Sequence, residues 1–334
     1  MSKRRWIVGV VGICLAWHGL RHAEPEKPAK PPVLQIAVLQ DGFGIAEAMN
    51  DRHLIEVDID GKRRKRWAIP LVGDMRIVGT RLGSTLAWID TKNKILRLGA
   101  LKEDGKLGRT EAFGRDAAQL CNGAASTSTG FAIMWRATNG GFWFLRGSPE
   151  GRSEAVALSD AKVSEEDAAA PMACAVRPAG DGFALFFRSG RHMDFDICTA
   201  SGCQNMLARV PVKPGDQIED LACQATGCAA ALSSSSGVRL VGFDFRGKVR
   251  WTTALTPVTG QDVHLAAAPR SYLVSYKAPD QNRIDRVLAT TGSRELFGHT
   301  HEELSVPVVT VSRTRAALAW LDRGVLGTAV GYID

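Results

Sequence analysis

Seven times along this chain an apolar run, often opened by Gly, ends near a bulky side chain and gives way to a polar turn and a second, alternating run. The bulky residues are Met49, Trp88, Trp135, Phe187, Leu232, Tyr276 and Trp320, spaced 39 to 52 residues apart. The stretch Gly182–Gly202 (GFALFFRSGRHMDFDICTASG) shows the unit most clearly. A period of this length marks units that cannot bury an apolar face alone and must stack on their neighbours. Most copies carry four short strand patterns, as in MRIVGTR, STLAWID, KILRLGAL and GRTEAF of the second. No helical period of useful length follows Trp17.

Four strands per repeat of about 45 residues is the grammar of a β-propeller blade. The expected fold is therefore all-β, a propeller of seven four-stranded blades in a single domain over residues 33–334. A pair of β-sandwiches would not repeat a bulky residue at one strand position, and a solenoid needs a shorter period. The second strand of each repeat is almost continuously apolar, as a strand covered on both faces must be, while the third alternates. The seventh repeat ends after three strands. Either that blade is three-stranded or residues just before Val33 supply its fourth strand.

This meander fixes where loops emerge. Connections between blades fall on one face, and each contains an acid: Asp74, Asp116, Asp167, Asp216, Asp262 and Glu302. Turns between second and third strands open on the same face and bring Arg188 and Arg191 there. A face of mixed sign at a channel mouth is the expected ligand-binding face, although Asp is also a favoured turn former beside Gly. No nucleophile elbow, triad or carboxylate pair stands out, so catalytic residues are not assigned, and no cofactor or resident metal is expected. His299-Thr300-His301-Glu302-Glu303 is the densest ligand-like cluster and reads as an exposed loop between the last two blades. The run Lys62–Arg66 reads as a solvated hairpin turn able to touch acidic lipid or polymer.

The N-terminus has its own logic. Met1–Arg5 is basic and Trp6–Trp17 is an apolar stretch too short for a conventional membrane span, so residues 1–23 read as a signal peptide or, uncleaved, as an N-terminal anchor tethering the chain through residues 6–17. Residues 24–32, EPEKPAKPP, are a proline-rich linker. The chain holds 42 basic and 35 acidic residues, and four of the basic ones precede residue 24, which leaves 38 against 35. A surplus that small gives no reason to expect nucleic acid.

Export implies an oxidising compartment, and the cysteines agree with it. Cys198-TASG-Cys203 and Cys223-QATG-Cys228 each flank a four-residue turn between strand patterns, within reach of a cross-hairpin disulfide. Metal half-sites would need tighter spacing and a nearby His. Cys121 and Cys174 remain, and spacing does not fix their pairing.

Two repeats carry a more specific signature. HLIEVDIDGKRRKRW and VRLVGFDFRGKVRW both run from an apolar strand through Asp and Gly-Lys to a Trp opening the next strand. At Gly61, Lys62 and Trp67 and at Gly247, Lys248 and Trp251 this resembles the blade motif of quinoprotein-like (PQQ-like) propellers, in which the Trp docks between blades. The strand pattern is also similar to repeats of secreted bacterial propellers. The resemblance implies an envelope scaffold; its enzymes carry adjacent paired cysteines, which this chain lacks. The expectation is a monomeric, non-catalytic, exported binding or scaffold protein, periplasmic, surface-bound or extracellular, with a protein or glycan ligand of the cell envelope. The alternative is a propeller enzyme acting on glycans, a hydrolase or lyase with its site in the inter-blade loops.

Overall fold

The computed structural model describes residues 34–333 apart from connecting stretches, the longest at 69–74, 163–171 and 256–261. The expected signal or anchor, the linker, and any strand supplied from before Val33 lie outside the described residues. Every described element is a β-strand, and the strands form seven separate sheets in a ring, a seven-bladed propeller.

Blade 1 is β1 (Leu34–Leu39), β2 (Gly42–Glu47), β3 (His53–Asp58) and β4 (Arg63–Ala68); blade 2 is β5 (Met75–Thr80), β6 (Gly83–Asp90), β7 (Ile95–Leu101) and β8 (Leu107–Phe113). Blade 3 splits its innermost strand into β9 (Ala117–Leu120) and β10 (Ala125–Thr127), followed by β11 (Gly130–Ala137), β12 (Gly141–Gly147) and β13 (Ser153–Lys162). Blade 4 is β14 (Cys174–Ala179), β15 (Gly182–Ser189) and β16 (His192–Thr199), with an outer strand reduced to the fragments β17 (Gly202–Cys203) and β18 (Ala208–Arg209). Blade 5 is β19 (Gln217–Gln224), β20 (Gly227–Ser234), β21 (Gly237–Phe243) and β22 (Val249–Ala254). Blade 6 is β23 (Val263–Ala267), β24 (Ser271–Lys277), β25 (Gln281–Leu288) and β26 (Arg294–His301). Blade 7 has three described strands, β27 (Val308–Ser312), β28 (Arg315–Asp322) and β29 (Val325–Tyr332).

The apolar second strands now have a physical explanation. Successive side chains on a strand point to opposite faces, and a blade has a neighbour on each face. Phe131, Ile133 and Trp135 of β11 enter the core shared with blade 2, while Ala132 and Met134 enter the core shared with blade 4. On β15, Phe183, Leu185 and Phe187 face blade 3, and Ala184 and Phe186 face blade 5. Among the described residues the buried side chains fall into seven clusters, one per seam between blades. Three of the repeat markers sit at equivalent places: Trp88, Phe187 and Tyr276 lie opposite the first residue of their innermost strands, Met75, Cys174 and Val263.

The ring closes by packing. Phe43, Ile45, Ile55 and Val57 of blade 1 share a core with Ala317 and Ala319 of blade 7, and Arg315 reaches Asp60 at 3.1 Å. Among the described residues β29 pairs with β28 alone.

The Asp-Gly-Lys turns are the same object in two blades. Asp58 Oδ1 accepts the N–H groups of Asp60 (3.1 Å) and Lys62 (2.8 Å), and Asp244 Oδ1 accepts those of Arg246 (2.9 Å) and Lys248 (3.0 Å). Gly61 and Gly247 take φ of 83° and 78°, where a side chain is strained. The Trp that follows docks on the next blade: Trp67 packs with Met75 and Trp88 of blade 2, and Trp251 donates its Nε1–H to Ala289 O of blade 6 at 2.7 Å.

Cys121, Cys174, Cys198, Cys203, Cys223 and Cys228 are all paired. Cys198–Cys203 and Cys223–Cys228 staple hairpins within blades 4 and 5, with Cα atoms 3.9 and 4.0 Å apart. Cys121–Cys174 joins blade 3 to blade 4 over a sequence separation of 53. Beside it Asn122 forms a parallel bridge with Ala175: its N–H donates to Cys174 O (2.9 Å), and its own carbonyl accepts Val176 N–H (3.0 Å). That bridge falls in the break between β9 and β10 of the inner strand of blade 3.

Candidate functional site

The innermost strand of every blade is a sheet edge, with one row of backbone N–H and C=O groups lacking a strand partner. Seven such edges surround the axis and enclose a central channel of about 1180 Å³. Long polar side chains on these strands cap the neighbouring edge. Gln35 Nε2 donates to Met75 O (2.7 Å) from blade 1 to blade 2, and Arg76 Nε donates to Cys121 O (2.8 Å) from blade 2 to blade 3. Gln224 Nε2 donates to Ala268 O (2.6 Å) and Ser271 O (2.8 Å) from blade 5 to blade 6.

The densest of these links joins blades 3, 4, 5 and 6. Arg177 donates from Nε to Leu221 O (2.5 Å), from Nη1 to Asn122 O and Val176 O (both 2.9 Å), and from Nη2 to Asp220 Oδ1 (2.6 Å). Asp220 is buried, and its other contacts are equally committed: Oδ1 accepts Leu221 N–H and Oδ2 accepts Leu265 N–H, each at 2.7 Å. A register shift at Glu219 makes a bulge in β19, which re-aims the side chain that follows it. Asp220 thus holds three blades together, with both of its oxygens engaged in hydrogen bonds.

His264 on β23 stands apart from this cement. Its ring is partly exposed to the channel, and among the described residues no hydrogen bond reaches it. Burial pushes its pKa below the ordinary 6.5, Asp220 and Asp262 pull the other way, and Arg177 adds to the lowering. The imidazole is therefore neutral at pH 7, able both to donate and to accept. Gln119 and Asn122 line the same channel with exposed amides.

Three of the acids expected at the channel mouth, Asp116, Asp216 and Asp262, are among the described residues. Asp262 is exposed two residues before His264 and contributes to its field. Asp216 is taken up inside its own blade: its side chain is 3% exposed, it accepts Lys213 N–H (2.8 Å), and Arg239 holds both its oxygens, one at 2.9 Å. Asp116 is an exposed turn residue with φ of 60°, and its carbonyl accepts Thr138 N–H (2.7 Å). Arg188 is half-buried on β15, with its backbone N–H on Ala173 O. Asp74, Asp167, Glu302 and Arg191 lie outside the described residues.

The histidine cluster is corrected in one respect. His299 and His301 are not in a loop; they are exposed residues at the end of β26, where cross-strand pairing to Arg283 and Gln281 carries the sheet past the polar sequence. The group of described side chains at metal-binding distance is instead Asp196, Cys198 and Cys203, whose sulfurs are joined in a disulfide.

Reading the sequence for loop acids overlooked Arg76, Arg177, Asp220 and His264. Their signal was a charged or imidazole residue inside an otherwise apolar innermost strand, as in MRIVGT, CAVRPA and VHLAA.

No family model matches the chain, and no curated protein matches it. Among solved structures it is similar to one from a study of two prolyl endopeptidases, at 14% identity and a TM-score of 0.56 over 87% of this chain; the match spans 47% of the endopeptidase chain. It is also similar to the propeller domain of the Trilobed protease from Pyrococcus furiosus, described as having an open velcro topology (10% identity, TM-score 0.56, 90% of this chain and 96% of that one). A third is the WD40 domain of coronin from Toxoplasma gondii (11% identity, TM-score 0.54, 89% and 80%). At these identities the likeness is one of fold.

Proposed function

We propose that this propeller is an exported, non-catalytic binding module of the cell envelope or exterior, and that its channel receives a segment of a partner protein. The observation that carries the reading is the division of labour on the channel wall. Arg76 and Arg177 bind backbone carbonyls of neighbouring blades and Asp220 balances Arg177, while His264, Gln119 and Asn122 are left with uncommitted polar atoms. Neutral donors and acceptors of this kind match peptide groups. A protein ligand is favoured over a glycan because the described lining residues include no Phe, Tyr or Trp ring to offer a sugar a broad stacking surface. The enzymatic alternative would have to build its proton exchange on His264, because Asp220 is already engaged by Arg177 and two backbone N–H groups. Export rests on the basic and apolar N-terminus together with three disulfides.

The test is capture from envelope extract by the purified exported protein, in wild-type form, as His264→Trp to obstruct the channel, and as Leu207→Ala on the outer surface. Proteins retained by wild type and Leu207→Ala but released by His264→Trp, in a variant whose near-UV spectrum is native, support the reading. Equal capture by all three overturns the channel as the site. Titration of the denatured, unreduced protein should find none of the six mature thiols free; six free thiols would remove the argument for export.

A further inference from the structure

Of the basic run Lys62–Arg66, Lys62 alone sits in the turn. The turn is 59–62, and Arg63 to Arg66 are the first four residues of β4, the outermost strand of blade 1, all of them exposed. Four consecutive cations therefore extend along about 10 Å of strand at the usual rise, and Lys62 continues the run into the turn. The nearby acids do little to offset them. Glu56, opposite Lys65, receives a hydrogen bond from Ser84 Oγ (2.6 Å), and Asp58 caps the turn while standing 3.8 Å from Arg64. Among the described residues Arg63 and Arg66 have no ion-pair partner, and Lys65 lies 5.6 Å from the Trp67 ring.

Charge on an outer strand is a common guard against edge-to-edge aggregation. The other blades manage with mixed or single charges: Arg109 and Glu111 on β8, Arg250 on β22, Arg294 and Glu295 on β26. A run of one sign weakens its own strand by repulsion and exceeds what that guard requires. Among the described residues β4 also pairs with β3 alone, so its outer backbone groups are open to another strand.

We infer that β4 is a docking edge for an extended acidic segment of a partner protein. The segment adds as a fifth strand to blade 1, its backbone pairing with the open edge of β4 and its Asp or Glu side chains lying opposite Arg63, Lys65 and Arg66. An extended chain suits this geometry better than a lipid surface. Lys65 shares the side of Trp67, toward blade 2, and Arg66 takes the opposite side by the alternation of a strand, so the charges form a two-sided ribbon where a bilayer would meet a plane. This edge is distinct from the channel, and the two readings stand or fall separately.

The probe is an eight-residue peptide with a central run of consecutive Glu flanked by Thr, so that both of its strand faces carry acid, labelled for fluorescence anisotropy and titrated against the full-length exported protein. Comparison ligands are the same peptide N-methylated at alternate amides, and vesicles of phosphatidylglycerol and phosphatidylcholine in equal parts. The unmodified peptide should bind and weaken as salt rises through 0.1 M, where the Debye length is about 10 Å. Arg63→Gln/Lys65→Gln/Arg66→Gln should bind about tenfold more weakly with an unchanged melting temperature, three cross-strand pairs being removed. His264→Trp should bind as wild type does. Equal binding of the N-methylated peptide would eliminate strand addition, tighter binding to vesicles would make the rim a lipid site, and unchanged affinity in the triple variant would remove the rim altogether.

Discussion

The disulfide between blades 3 and 4 offers the sharpest test of how this ring is held together. Replacing Cys121 and Cys174 by Ser opens a loop spanning 53 residues, whereas the corresponding changes at Cys198/Cys203 or Cys223/Cys228 open loops spanning 5. In the chain-entropy account, the restriction a crosslink imposes on the unfolded state grows with the logarithm of loop length. The long loop corresponds to about 4 kcal/mol at 25 °C and each short loop to about 2 kcal/mol. The folded state points the same way, because the long-range bond sits beside the Asn122–Ala175 bridge and beneath the bond from Arg76 Nε to Cys121 O, contacts that depend on the same seam. Urea unfolding of the three double-Ser variants, followed by tryptophan fluorescence, gives the ranking directly. The Cys121/Cys174 variant should lose about twice as much stability as either hairpin variant. A common slope against denaturant would show that compactness is unaltered. Equal losses in all three variants would refute the loop-entropy reasoning and leave local strain or packing as the source of the stabilisation.

Three further outcomes are expected. Asp220→Ala should cost about 3 to 5 kcal/mol in the same unfolding assay, since it leaves Arg177 without its partner and two buried N–H groups unmet; Arg177→Met in that background should recover part of the loss. His264 has a folded-state pKa held below 6.5, so between the two values the unfolded chain binds more protons than the folded one. Its contribution to stability is complete above pH 6.5 and falls away as the pH drops, and His264→Gln should flatten that part of the pH–stability curve. At Gly247 a Cβ would lie 2.4 Å from Arg209 O with φ at 78°, while at Gly215 φ is 86° but nothing lies within 4 Å. Gly215→Ala should therefore show backbone strain alone, about 1 to 2 kcal/mol, and Gly247→Ala distinctly more, as thermal melts of the pair will reveal.

What could be read from the sequence was whatever is decided within one blade. Strand two is apolar throughout because Phe183, Leu185 and Phe187 serve one seam while Ala184 and Phe186 serve the next, so two-sided burial is written into a single segment. The hairpin cysteines and the Asp58 and Asp244 turns are equally local, closing within five residues. Features that depend on a neighbouring blade were hidden. Cys121 finds Cys174 only because the inner strand of blade 3 breaks at Asn122 to bridge blade 4, and β26 reaches His301 only because β25 offers it a partner. The channel wall was least legible of all. An Arg in MRIVGT or CAVRPA looks like a solvated charge until the open edge of the next inner strand is placed beside it, and the direction of Asp220 depends on a one-residue bulge at Glu219. Charged residues on innermost strands are therefore better sorted by whether a neighbouring backbone edge already claims them. By that criterion Arg76, Arg177 and Asp220 belong to the scaffold, and replacing His264 is the change expected to separate the proposed binding from folding.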